Sequence, residues 1–194
     1  MVIGVLGLQG AVREHLEMLM SLGVKTRIIK SAEDLEGLAG LVLPGGESTT
    51  MRRLIDRYAL LAPLRQKTKT LPMFGTCAGM ILLATELEQG AAHLEAIPMK
   101  VKRNAFGRQI DSFETMVDIE GIEQAVDAIF IRAPYVERVD QGTRVLAQVA
   151  EDIVVVETDM HLACSFHPEL TNDTRMHRYF IEKVKQHHAA SVIS

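Results

Sequence analysis

What most restricts the fold of this chain is a succession of short, continuously apolar segments, each followed by a helical pattern. Val2 to Leu8 reads as a buried strand, and Val12, Leu16, Leu19 and Met20 then recur at spacings of four and three, as along one helix face. "TRII" is a second strand candidate. "GLVLP" is a third, closed by Pro44, Gly45 and Gly46, before Met51, Leu54, Ile55 and Tyr58 repeat the helical spacing. "LPMF" is a fourth, and Met80, Ile81 and Leu87 predict the helix behind it. Strands without polar alternation are buried on both faces, which is the pattern of a parallel sheet covered by helices on either side.

The pattern changes in the second half. From Lys100 to Glu120 polar and apolar residues mix without a 3.6-residue period, which predicts short, partly antiparallel strands. "AIFIRAP", "VLAQVAEDIVVVET" and "HLACSF" read as further strands, and Met176, Phe180 and Val184 mark a closing helix. The expected architecture is α/β: a three-layer domain with a mostly parallel central sheet, helices on both faces and a small antiparallel β excursion. At 194 residues, 47% of them hydrophobic, the chain suits a single domain spanning 1–194, with a frayed tail from about residue 187.

Charge and composition narrow the partners. The balance of 21 basic against 25 acidic residues gives a net charge of −4, with no basic block or aromatic-basic interleaving, so nucleic acid is not an expected partner. No apolar run approaches the roughly 18 residues of a membrane span, and the chain opens directly into a strand pattern, so no membrane partner and a cytoplasmic location are expected. Two cysteines, Cys77 and Cys164, are too few for a disulfide framework.

Gly75-Thr76-Cys77-Ala78-Gly79 has the G-x-S-x-G form with cysteine in the serine position, between a predicted strand and a predicted helix. Such an elbow holds a nucleophile in a strained turn where only small neighbours fit, and the helix N-terminus favours a thiolate there. The Ala78 N–H would point toward an oxyanion. Taken alone, the pentapeptide fits a packed core thiol equally well.

A nucleophilic cysteine needs a base, and the base an orienting group. "SFHPEL" supplies His167 and Glu169 at the end of a strand, two apart so that an extended chain projects both to one side, with Pro168 disfavouring helix at His167. Strand alternation puts Cys164 on the opposite face, in the core. A metal site from Cys164, His167 and Glu169 would lack a second spaced ligand pair, so neither metal nor cofactor is expected. The third feature is "LPGGESTT", residues 43–50, where paired glycines let backbone N–H groups face a ligand and Ser48 or Thr49 would cap the next helix. No Gly-Lys-Ser/Thr follows, and the glycines of "GVLGLQG" are not spaced G-x-G-x-x-G, so a nucleotide loop is not indicated.

Together the three loops resemble the class I, triad-type glutamine amidotransferase family, whose domain is flavodoxin-like. Within it, "GVLGLQGAVREH", "LPGGESTTMRRL", "PMFGTCAGM", "RNAFGRQIDSFE", "FIRAP" and "CSFHPEL", spanning residues 4–170, are similar to the glutaminase subunits of pyridoxal 5′-phosphate synthase. The resemblance implies hydrolysis of L-glutamine with Cys77 as nucleophile, His167 as base and Glu169 as its orienting partner. It implies an oxyanion site at the backbone of Gly45, Gly46 and Ala78, and a glutamine site of Gly46, Glu47, Ser48, Arg103, Ile131 and Arg132. It also implies a partner, a separate pyridoxal 5′-phosphate synthase subunit forming an oligomer on which several glutaminase copies dock. Gln9, at the end of the first strand, is then expected to couple docking to the oxyanion turn. The other classes open to such a sequence are the glutaminase subunit of another amidotransferase, a flavodoxin-like cysteine hydrolase or chaperone, and a non-catalytic binding module.

Overall fold

The computed structural model describes residues 1–103 and 112–193, so the middle of the segment 103–114, residues 104–111, lies outside the described residues. Five strands form the parallel half of the main sheet: β1 (Val2–Leu6), β2 (Lys25–Ile29), β3 (Gly40–Leu43), β4 (Met73–Thr76) and β12 (Leu162–Cys164), in the order β2-β1-β3-β4-β12. Beyond β12 the sheet continues through β11 (Asp152–Glu157), β9 (Tyr135–Val139), β6 (Ile97–Lys102) and β5 (Ala84–Leu87), and β10 (Arg144–Val149) pairs with β11. In this half all pairings are antiparallel except β5 with β6. The strands β7 (Ser112–Val117) and β8 (Val126–Ile131) make a separate antiparallel pair.

Alternation along the buried strands assigns side chains to two cores. Leu41 and Leu43 of β3 and Met73 of β4 face one side, where Met51 and Ile55 of α2 (Ser48–Arg57), Leu64 of α3 (Leu61–Lys67) and the fully buried α4 (Ala78–Leu83) pack. Val42 and Phe74 face the other, against Leu19 of α1 (Val12–Ser21) and Met176, Phe180 and Val184 of α5 (Arg175–Ile193). A side chain of this kind gains about 1.5–3 kcal/mol on full burial. Because both faces are covered this way, the inner strands β1, β3, β4 and β12 are apolar but for the buried Thr76, whereas the edge strand β2 carries Lys25 and Arg27.

Two local readings change. Leu87 ends β5 rather than extending a helix: α4 stops at Leu83, Ala84 is extended (φ −65°, ψ 145°), and the Thr85 hydroxyl exchanges hydrogen bonds with the backbone of Met99. On α1 the buried residues are His15, Met18 and Leu19, while Met20 is 54% exposed, so the covered stripe is rotated from the expected one. Helix α5 runs to Ile193, and Val184 is the last buried residue among those whose burial is described. Among the described residues no helix is long and apolar enough to cross a membrane.

Candidate active site

Cys77 lies where β4 meets α4, with φ 50° and ψ −105°, a conformation that side-chain-bearing residues seldom adopt. The turn depends on its glycines. A Cβ at Gly79 would lie 2.9 Å from the carbonyl carbon of Leu43, and one at Gly75 would lie 2.8 Å from Leu83 Cδ1, so α4 could not seat against β3 and β4 with larger residues. The Cys77 N–H donates to the Cys164 carbonyl at 2.9 Å, which continues the β4–β12 ladder into the elbow. As the first residue of α4, Ala78 has an N–H among those that a helix leaves without an internal partner.

His167 follows β12, and its N–H is fixed by the Ile129 carbonyl at 2.8 Å. Its backbone (φ −108°, ψ 82°) is not helical, as Pro168 requires. Glu169, however, sits in a 3-10 turn, Pro168–Leu170, and not in extended chain. Pro168 opens that turn because it has no N–H to leave unsatisfied. The imidazole Nδ1 donates to Glu169 Oε1 at 2.7 Å, with the carboxylate side chain fully buried. Burial works to lower the His167 pKa, but hydrogen bonding and electrostatic attraction from Cys77 and Glu169 outweigh it and raise the value to about 10. Cys164 is fully buried, its Sγ 3.4 Å from the Phe166 carbonyl, as its core assignment expects.

The turn after β3 faces this pair. Ala11 N–H donates to the Gly45 carbonyl at 3.2 Å, and in a trans peptide the Gly46 N–H then points away from Ala11. Gln9 Oε1 accepts the Glu47 N–H at 2.9 Å, which ties the first βα loop to the same turn. The cap of α2 is Glu47, not Ser48 or Thr49: its carboxylate accepts from Thr49 N–H (2.9 Å), Thr50 N–H (2.7 Å) and the Thr50 hydroxyl (2.7 Å). The Thr50 hydroxyl and these backbone N–H groups hold its pKa down at about 2 against partial burial. A longer acid reaches the N–H groups of the first turn that Ser48, itself buried, does not serve.

A cavity of about 560 Å³ opens beside the elbow. Cys77, Ala78 and His167 line it together with Gln9, Gly46, Glu47, Ser48, Arg103, Ile131 and Arg132. Arg103 reaches Thr49 Oγ1 at 3.4 Å across the mouth, and Cys77 Sγ lies 3.9 Å from the Ile131 carbonyl. Of the expected residues only Gly45 and Glu169 are not in the wall; Gly45 lies under His167 and Glu169 behind it. The geometry is that of a thiol and imidazole presented to a concave site bearing fixed charges of both signs, a site fitted to a small zwitterion with a carbonyl to attack.

Residues 5–186 match the model of the SNO glutamine amidotransferase family. The chain belongs to that family.

Relatives in the family span nearly the whole chain. A protein of Exiguobacterium sibiricum named pyridoxal 5′-phosphate synthase subunit PdxT is 67% identical over 99% of this chain and 100% of its own length. One of the same name from Halalkalibacterium halodurans is 53% identical over 95% of each chain. A crystal structure described as a glutamine amidotransferase superposes with a TM-score of 0.90 at 44% identity, covering 95% of this chain and all of that one. Thr49, Ile81 and Pro134 also line the cavity, though the sequence reading did not place them there. Their signal was positional: Thr49 follows Ser48, Ile81 is one helical turn beyond Cys77, and Pro134 closes "FIRAP". His15, buried on α1 within 3.5 Å of Glu169 Oε2, was also missed.

Proposed function

We propose that this chain is the glutaminase subunit of a pyridoxal 5′-phosphate synthase, hydrolysing L-glutamine to L-glutamate and ammonia and passing the ammonia to a separate synthase subunit. The observation that carries this reading is Cys77 and His167 at the wall of a cavity that also bears Glu47, Arg103 and Arg132, with Glu169 behind the imidazole and bonded to its Nδ1. The names borne by the full-length relatives support the partner.

The Cys77 sulfur attacks the side-chain amide carbon of glutamine while His167, with its raised pKa, holds the thiol proton. The carbonyl electrons move to oxygen, and the oxyanion is met by the Ala78 N–H and by N–H groups of the Gly45-Gly46 turn. One such donor is worth on the order of 3 kcal/mol in the transition state. Collapse breaks the C–N bond, His167 protonates the departing nitrogen, and ammonia leaves a glutamyl thioester on Cys77. His167 then takes a proton from water, hydroxide adds to the thioester, and the second collapse releases glutamate and returns the thiol. Glu169 keeps Nδ1 protonated, so that Nε2 serves as acceptor and donor in turn. Gly46, Glu47, Ser48, Arg103, Ile131 and Arg132 hold the substrate, with charges of both signs for its ammonium and carboxylate. Ammonia set free in neutral water is protonated and loses its nucleophilicity, so transfer runs through the docked synthase, in the cytoplasm. Gln9 links docking to the oxyanion turn. Ammonia release from glutamine, measured with and without the synthase subunit and repeated with Cys77→Ala, tests the reading: release that needs both Cys77 and glutamine is expected, and undiminished release by the variant would overturn it.

A further inference from the structure

Behind the triad, on the side of Glu169 away from His167 Nδ1, the carboxylate meets a second histidine. Glu169 Oε2 is buried and has no hydrogen-bond partner among the described residues, and His15 Nε2 faces it at 3.5 Å. The same Nε2 lies 3.1 Å from Thr76 Oγ1, on the residue before the nucleophile, and His15 Nδ1 lies 2.8 Å from His177 Nε2. His15 comes from α1 and His177 from α5, so two helices on one face of the sheet meet directly beneath the site. His177 is anchored in turn, edge-on to Phe74 at 5.7 Å.

The proton positions follow from the partners. Burial drives His15 well below the ordinary histidine value, with His177 and His167 adding to it, and brings His177 to about 3, which favours the neutral form of both rings. With its proton on Nδ1, His15 would turn a bare lone pair toward a buried carboxylate, and His177 would keep its own proton on Nδ1, an atom without a partner among the described residues. An orphaned buried N–H is rare. With the proton on Nε2, His15 points an N–H at Glu169 Oε2 and Thr76 Oγ1 and accepts the His177 Nε2–H at Nδ1. The atom left over is then only a bare acceptor.

We propose that His15, held in this tautomer by His177, is a positioning residue that fixes the second carboxylate oxygen of Glu169 and with it the angle at which Oε1 meets His167. At 3.5 Å the contact is longer than a hydrogen bond, and it tightens as the reaction loads positive charge onto His167, as resting catalytic contacts commonly do. The proposal rests on the Cys77–His167–Glu169 reading given above.

The test is glutaminase kinetics with the synthase subunit present, for wild type, Cys77→Ala, His15→Leu, His15→Gln, His177→Leu and His177→Gln. His15→Leu is expected to lower kcat about 10- to 100-fold, the range typical of partners that orient a reacting group. KM should stay within about twofold, because His15 does not touch the cavity. His15→Gln, whose amide N–H reaches toward Glu169, recovers most of the loss, and the His177 pair behaves alike with a smaller amplitude. A folded Leu variant with wild-type kcat, a Gln variant no better than its Leu counterpart, or a rise in KM alone would overturn the proposal. The tautomer is read independently on the wild-type chain from imidazole 15N shifts: a proton on His15 Nε2 is expected, and one on Nδ1 overturns the proposal whether or not the variants fold. A wild type that hydrolyses no glutamine, or an equally active Cys77→Ala, marks the failure of the triad reading itself, whatever the tautomer.

Discussion

The His167 imidazole packs against the α-carbon of Gly45 so closely that a Cβ there would lie 2.8 Å from Nδ1 and overlap Cε1. The turn after β3 and the imidazole are thus a single packing unit. Gly45→Ala is expected to push the imidazole aside by part of an ångström and lower kcat on the order of 100-fold, a misplacement cost, while circular dichroism shows the fold retained. Wild-type kcat in the folded variant would show that the contact is incidental.

Glu169→Gln keeps the shape of the side chain and removes its charge. Glu169 helps to raise His167 to about 10, so loss of the negative partner makes the imidazolium less favourable and the pKa falls. Glutamine hydrolysis is expected to drop by up to roughly 10⁴-fold, as when the acid of a comparable triad is made an amide. An NMR titration of the His167 ring in the variant checks the first part and steady-state kinetics the second.

Stability should fall in mild acid. His161 is buried, accepts the Met73 N–H at Nδ1 (3.2 Å), faces the Thr68 carbonyl at Nε2 (2.9 Å), and has its pKa pushed to about 4 by burial. The unfolded chain takes up a proton below about 6.5 that the folded one resists, so this stability is complete above 6.5 and is lost as pH falls through about 4, at most roughly 3 kcal/mol. His167 acts in the opposite sense, its contribution present below 6.5 and lost as pH rises through about 10. Urea unfolding at pH 7.5 and pH 5 should show the acid loss, and His161→Gln should reduce the difference.

Gln9→Ala leaves the Glu47 N–H without its acceptor and frees the turn that carries Gly46. Glutaminase activity in the presence of the synthase subunit is expected to fall about tenfold, the scale of one hydrogen bond near 1.4 kcal/mol. Unchanged activity would remove Gln9 from the coupling role.

The parallel half of the sheet was legible because its inner strands are apolar on both faces, and three of its loops carry Cys77, His167 with Glu169, and Gly45-Gly46 at strand ends. What escaped was set by tertiary contacts. The spacing of α4 did not show that Leu87 turns into a strand, because Thr85 bonding to Met99 decides it. Ser and Thr are the usual caps, yet Glu47 caps α2 because its longer side chain spans two N–H groups. His15 lies three residues beyond Val12 and four before Leu19, on the face that packs inward, but a polar residue there gives no sign of its partner 162 positions away.

Cys77 is the residue expected to become acylated during glutamine hydrolysis. The most direct measurement is mass-spectrometric mapping of the complex after treatment with a glutamine-like electrophile, alongside ammonia release on the same samples. One label per chain at Cys77, none at Cys164, and loss of ammonia release in proportion to labelling are predicted. Ammonia release that persists with Cys77 fully labelled, or that Cys77→Ala sustains at the wild-type rate, would contradict it.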